Sequence, residues 1–161
     1  MKWITNTIIK NKKALFDFNV EDQIEAGISL KGWEVKSLRD NRGNIKESYA
    51  ILKNNEVFLI GAHFSPLRNA NITDESEATR TRKLLLNKKE IAKLNGYISQ
   101  KGYTLIPISL YWKNGKVKVK LGLAKGRKKQ DKRHLIKERD WKREQERLAK
   151  KTLLRKWKTI I

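Results

Sequence analysis

The chain is expected to be mainly β, a small barrel with flanking helices and a basic C-terminal tail. Three observations predict it. Five or six apolar runs have strand length, and four of them pair up across Asn-rich or Asn-Gly turns. One well-patterned helix interrupts the series before the last hairpin. From Lys125 onward the apolar residues thin out and Lys and Arg take over. A barrel closes so few strands without exposed edges, and an oligonucleotide-binding (OB) type barrel fits that count. The count alone also allows an open α+β sheet.

The elements follow in order. Leu15 to Phe18 and Ile24 to Leu30 read as strands around a polar stretch. Gly32 to Arg39 places Trp33, Val35 and Leu38 among charges, which suits a short helix. Asp40 to Asn44 is turn chemistry. Tyr49–Leu52 and Val57–Ile60 flank Lys53-Asn54-Asn55-Glu56, a hairpin signal. Residues 66–80 are polar and mixed, as a loop would be. Arg82 to Ser99 is expected as one helix ended by Gly102, with Leu84, Ile91, Leu94 and Ile98 on one face. Tyr103–Trp112 and Lys116–Leu123 then pair across Lys113-Asn114-Gly115.

The charge is uneven. The 161 residues hold 38 Lys+Arg against 17 Asp+Glu, a net of +21. Residues 1–124 carry 22 basic and 12 acidic residues, and 125–161 carry 16 and 5. The expected division is therefore a folded body, 1–124, and a basic tail, 125–161. Such an excess makes a compact state repel itself and implies a polyanionic partner, nucleic acid before an anionic membrane. The tail reads as helical or disordered rather than as core, and folding on binding reconciles the two.

Other classes are excluded or disfavoured. There is no Cys, hence no disulfide and no thiolate metal site. His63 and His134 are too few for a His cage. No metal and no cofactor is expected. No apolar run approaches the roughly 20 residues of a membrane span. The N-terminal Met1 to Asn6 turns polar at once, so a cytoplasmic protein is expected. Phosphate loops, nucleophile elbows and His-Glu-x-x-His are missing, and so is a Gly-Gly-Gln tripeptide. Carboxylates are scattered, and His63, in Gly-Ala-His-Phe-Ser, reads as a partly buried structural residue. No catalytic residue is expected.

Basic residues interleaved with apolar ones carry the functional signal. Lys116-Val117-Lys118-Val119-Lys120 alternates strictly, so in a strand the lysines share one face and the valines the other. A solvated strand face explains this as well as a phosphate-tracking one. Tyr111-Trp112 stands nearby, able to stack on a base or to pack in the core. In a helix, Leu84-Leu85-Leu86 cannot all face one core. Either that helix is buried on several sides, or an exposed Leu supports a partner. In the tail, Trp141 and Leu148 are seven apart, and Leu153, Leu154, Trp157, Ile160 and Ile161 recur at helical spacing.

Several long segments together resemble one family. They are Asn11-Lys12-Lys13-Ala14, Glu25-Ala26-Gly27, Gly32 to Arg39, Arg80 to Leu86, Leu110 to Asn114, Gly122 to Lys128 and Asp131-Lys132-Arg133. In this order they resemble the SsrA-binding protein (small protein B) family over roughly residues 8–145. The resemblance implies an OB-type barrel with flanking helices and a basic tail. It implies no enzyme activity. It implies binding of the tRNA-like domain of transfer-messenger RNA and its delivery to stalled ribosomes for trans-translation. Elongation factor Tu then takes part indirectly, through the charged RNA, and the protein is a monomer. The body stands in for a missing anticodon arm, while the tail enters the decoding centre and the vacant messenger channel, helical there and disordered when free.

Carried over by position, the RNA-binding residues are Asn11, Lys12, Glu25, Leu85 and Lys118. Leu85 becomes an apolar support for the RNA and Lys118 a backbone contact. Glu25 accepts from base or ribose donors. Asp131, Lys132 and Arg133, with Trp141 of the tail, engage the ribosome. Two competing readings remain at this stage: a structural ribosomal protein threaded by its tail, and a membrane-surface protein using the tail helix.

Overall fold

The computed structural model describes residues 6–70, 74–99 and 102–160, the last without its side chain. Met1 to Thr5 and Ile161, both part of the sequence reading, lie outside the described residues, as does the side chain of Ile160. The chain forms two compact units, Met1–Gly126 and Arg127–Ile161.

The first unit is built on strands β1 (Asn6–Lys10), β2 (Phe18–Ile28), β3 (Gly43–Asn44), β4 (Tyr49–Lys53), β5 (Glu56–Ile60), β6 (His63–Phe64), β7 (Arg82–Leu85), β8 (Tyr103–Lys113) and β9 (Lys116–Gly126). Its helices are α1 (Lys12–Asp17), α2 (Gly32–Arg39) and α3 (Lys88–Ile98), with a short 3-10 helix at Glu75–Thr79. Six antiparallel strands close on themselves in the order β8-β4-β5-β7-β2-β9 and back to β8. The small closed barrel expected from the sequence is present, and an open sheet is excluded. The minor β3–β6 pair stands apart from it.

β8 is the shared spine. One edge pairs with β9 along its whole length. The other edge pairs with β4 at Leu105 and with β1 from Ser109 to Trp112. Its register slips between Pro107 and Ser109. Proline has no N–H to give the ladder, so an irregularity is where a central strand tolerates it.

Both long hairpins turn as their asparagines suggest. Asn54 and Asn55 have φ of 52° and 59°, and Asn114 and Gly115 have 52° and 72°. Two successive left-handed residues match the twist of the flanking strands, and Asn and Gly reach that conformation at least cost.

The barrel interior is filled by Ala26, Val57, Leu59, Leu84, Leu105, Leu110, Val119 and Leu121, all almost fully buried. Leu38 of α2 and Leu94 of α3 join the same cluster from outside the sheet.

Two elements differ from the sequence reading. Leu15 to Asp17 form the end of helix α1, not a strand. Asn11 starts that helix, its side-chain oxygen accepting from Ala14 N at 3.1 Å, which is N-cap behaviour. The second difference matters more. Arg82–Leu85 is a strand, and the helix begins only at Lys88. The start signal is Asn87-Lys88-Lys89-Glu90: Glu90 folds back to accept from Asn87 N at 3.1 Å. Ile91, Leu94 and Ile98 still pack on the core as one stripe. Leu84 reaches that core by strand alternation instead.

Alternation also sends Arg82 inward. It is fully buried and pairs with the fully buried Glu34 of α2. Its guanidinium donates to the carbonyls of Ala62 (2.7 Å), Ala78 (2.9 Å) and Arg80 (3.0 Å), and lies 4.1 Å from the Phe64 ring centroid. Glu34 also takes Arg80 and accepts from Lys31 N at 2.8 Å. A buried ion pair is tolerable only when its remaining donors and lone pairs are satisfied, as they are here. The cluster ties α2 to β7 and so fixes which side of β7 faces out.

His63 is exposed on β6, not partly buried, with Nδ1 at 3.4 Å from Ser65 Oγ.

The second unit is one helix, α4 (Lys129–Ile160). At 1.5 Å per residue, 32 residues span about 48 Å. Asp131 lies in its first turn, where a carboxylate suits the positive helix end.

Candidate nucleic-acid interface

The outer face of β7-β2-β9-β8 collects residues far apart in sequence. Register places Leu85 opposite Gly27, Gly27 opposite Lys118, and Lys118 opposite Tyr111. One row of four strands therefore reads Leu85, Gly27, Lys118, Tyr111. Two residues along, a second row reads Glu25, Lys120, Ser109 and Lys10. With strands about 4.8 Å apart, each row is about 14 Å long.

Leu85 is 54% exposed, the consequence of alternation with buried Arg82 and Leu84. Gly27 beside it is what allows a close approach. A Cβ at Gly27 would stand 3.2 Å from Leu85 Cβ and would crowd it. Together with Trp112, Lys116 and Lys118 they line a concavity of about 320 Å³. Its wall is apolar at Leu85 and Trp112 and basic at Lys116 and Lys118.

The alternating lysines behave as their pattern implies. Val117 and Val119 are buried, and Lys116, Lys118 and Lys120 face outward. Trp112 is half-buried against the core, with Arg39 6.0 Å from its ring centroid. Tyr111 is only 6% exposed, so it packs instead of presenting a free ring.

Glu25 is the acid on this basic face. Its carboxylate accepts from Tyr111 Oη at 2.5 Å and from Lys113 Nζ at 3.1 and 3.2 Å. The tyrosine hydroxyl, then Lys113 and Lys118, hold it below the usual carboxylate range, against the opposing effect of desolvation. Burial, reinforced by Glu25, pushes Tyr111 up, so its hydroxyl stays protonated.

Lys12 is exposed at the start of α1, two residues after Lys10 of the second row. Asn11 is different. It is 2% exposed, and its amide donates to Ile45 O (2.9 Å) and Pro107 O (3.0 Å) while its oxygen caps α1. It has little surface to offer, and it fixes where Lys12 starts.

The sequence reading thus brings Glu25, Leu85 and Lys118 onto one face, with Lys12 at its margin and Asn11 beneath. It missed Gly27 as a position in its own right. A glycine inside a strand is the signal that could have found it. It also missed the Tyr111–Glu25 bond.

On α4, Asp131 and Arg133 are exposed and Lys132 is half-buried. Trp141 is 66% exposed and shares a side of the helix with Leu148, seven residues on. Leu153, Leu154 and Trp157 are also exposed. Among the described residues no helix is long and apolar enough to cross a membrane.

A family model described as SmpB protein matches residues 8–151. The chain belongs to the SmpB family. An SsrA-binding protein from Ruthia magnifica subsp. Calyptogena magnifica is 54% identical over 152 residues, covering 94% of this chain and 92% of that one. An SsrA-binding protein from Paraburkholderia xenovorans (strain LB400) is 54% identical over 144 residues, covering 89% and 97%. A chain of the solved structure "tmRNA-SmpB: a journey to the center of the bacterial ribosome" superposes with a TM-score of 0.62 at 38% identity, covering 75% of this chain and 85% of that one. Membership in the SmpB family bears out the family resemblance of the sequence and accords with the barrel.

Proposed function

We propose that this protein binds the tRNA-like domain of transfer-messenger RNA through the outer face of β7-β2-β9-β8. It delivers that RNA to ribosomes stalled without a stop codon. The observation that carries the reading is the row Leu85–Gly27–Lys118, flanked by Glu25 and Lys120, in a chain of the SmpB family. An apolar prop, a close-approach glycine and outward lysines suit a folded RNA surface better than a bare phosphate track. Lys12, Lys118 and their neighbours neutralise phosphates. Leu85 supports unstacked or splayed nucleotides, and Glu25 accepts from amino or hydroxyl groups. Asn11 acts by positioning Lys12.

The tail enters the decoding centre and the vacant messenger channel, with Asp131, Lys132, Arg133 and Trp141 engaging the ribosome. Its density of Lys and Arg and its exposed Trp and Leu side chains support this. It is disordered in the free protein and takes up the helix on the ribosome. The protein works by binding and catalyses nothing. It acts in the cytoplasm as a monomer, and elongation factor Tu meets it through the charged RNA.

The test is a pair of variants. Leu85→Asp is expected to weaken binding of the tRNA-like domain at least about tenfold. Truncation after Gln130 is expected to leave that binding nearly intact while abolishing rescue of ribosomes on a message without a stop codon. Equal losses of RNA affinity from both would refute the division of labour. Affinity should also fall steeply with salt, since each neutralised phosphate releases counterion.

A further inference from the structure

Glu25 stands among lysines on a face that attracts phosphate, yet its own charge repels phosphate. The protein fixes this carboxylate from two sides. Tyr111 Oη donates to Oε2 at 2.5 Å, and Lys113 Nζ reaches Oε1 at 3.1 Å and Oε2 at 3.2 Å. Both partners come from β8, across β9 from Glu25 on β2. Tyr111 is buried, so its ring is not available for stacking; its hydroxyl is the part that serves the face.

We propose that Tyr111 and Lys113 are positioning residues that hold the Glu25 carboxylate as a fixed acceptor, and thereby set which RNA is bound. The proposal rests on reading the barrel face as the RNA interface. An ionised carboxylate has about four lone-pair sites. One bond from Tyr111 and two contacts from Lys113 leave room for a donor from solvent or RNA. A 2′-hydroxyl or an exocyclic amine placed there is accepted. A phosphate placed there meets a charge that cannot swing away. A repulsive element of this kind discriminates against the wrong partner without adding contacts to the right one. The lysines around it would otherwise accept any RNA backbone.

The groups facing this carboxylate are Tyr111 and Lys113 from β8 and Lys118 and Lys120 from β9. All are donors or cations, so the acid stays ionised well below neutrality. Loss of the Tyr111 hydroxyl removes the largest of these influences. Glu25 then titrates at higher pH.

The experiment is a double-mutant cycle of Tyr111→Phe and Glu25→Gln in the full chain. Affinity is measured for the tRNA-like domain and for poly(U) of equal length at one salt concentration. Tyr111→Phe is expected to cost about fivefold on the tRNA-like domain and to leave poly(U) bound as tightly or more tightly. In the Glu25→Gln background it should cost nothing further, because the two residues act as a unit. Lys113→Met should give a smaller loss of the same kind. Carboxyl-carbon NMR of Glu25 should show its midpoint rising in Tyr111→Phe. Additive losses, equal losses on both RNAs, or an unmoved Glu25 midpoint would each overturn the proposal. Should Tyr111→Phe lose its fold, the half-exposed Lys113→Met carries the same cycle. Wild-type protein that binds both RNAs equally would overturn the functional reading and the selectivity with it. Intact selectivity with an unmoved midpoint would overturn the positioning alone.

Discussion

The two units hold nearly equal excess charge and use it in opposite ways. In the first unit several lysines are set against local carboxylates: Lys13 with Glu47, Lys83 with Glu56, Lys93 with Asp22, Lys113 with Glu25. Each such exposed pair adds little stability. What they do is place charge at defined points, between uncharged residues whose shape is also fixed. On α4, Ile136, Trp141, Leu148, Leu153, Leu154 and Trp157 lie exposed among Lys and Arg. The same net charge therefore makes a shaped surface in one unit and an adhesive rod in the other. Attraction to RNA needs only the number of charges; choice among RNAs needs their arrangement.

The comparison breaks first at the buried ion pair. Arg82→Ala strands Glu34 inside the body without its main partner. It should cost about 3–5 kcal/mol of folding stability, read by urea unfolding. An equal loss in a chain truncated after Gln130 would show that the body's stability is its own. A smaller effect is expected at Gly27. Gly27→Ala pushes on Leu85, and RNA affinity should fall by about threefold to tenfold while the unfolding midpoint hardly moves. A large drop in stability would mean that the glycine serves folding alone.

Opposite behaviour is expected on α4. Leu153→Ser with Trp157→Ser should leave the unfolding midpoint of the body unchanged by calorimetry, since both side chains are exposed. A shifted midpoint would show that the tail stabilises the body. The smallest effect is in acid. Asp22, Glu25 and Glu47 are held below their ordinary range chiefly by hydrogen bonds from Lys93, Tyr111 and Lys13. Their contribution is complete above the unfolded carboxylate pKa, near 4, and is lost as pH falls through the lower folded values. Lys93→Met should therefore lower the neutral plateau slightly and leave the fully protonated acid end unchanged, so that the acid limb flattens, read by urea unfolding across pH.

Which parts were legible in the sequence follows from the range of the signal. Asn54-Asn55 and Asn114-Gly115 announce their hairpins within four residues, and both formed as expected. The lysine face of β9 was legible because alternation is local. The stretch Arg82–Leu86 was not. Leu84 fits a helical stripe with Ile91, and that pattern hides the boundary that the capping box at Asn87 sets. Buried Arg82 could not be foreseen, since its partner Glu34 is 48 residues away. Glu25 entered only through the family resemblance, because nothing nearby in the chain marks it, whereas the Leu84-Leu85-Leu86 run flagged an exposed Leu that the resemblance then fixed as Leu85. Gly27 and the Tyr111 hydroxyl gain meaning from register between strands, and register is a property of the closed barrel.

The central position of β8 also bears on how the protein is made. β2 finds its main partner, β9, about a hundred residues downstream, and β1 and β4 both wait for β8. Contacts this distant close slowly. During synthesis, the hairpin of β4 and β5 can form early, but β1 and β2 keep unpaired edges until the last body strands have left the ribosome. Open edges invite pairing with other chains. The nascent chain is therefore most exposed to misassociation while residues 103–126 are still being added.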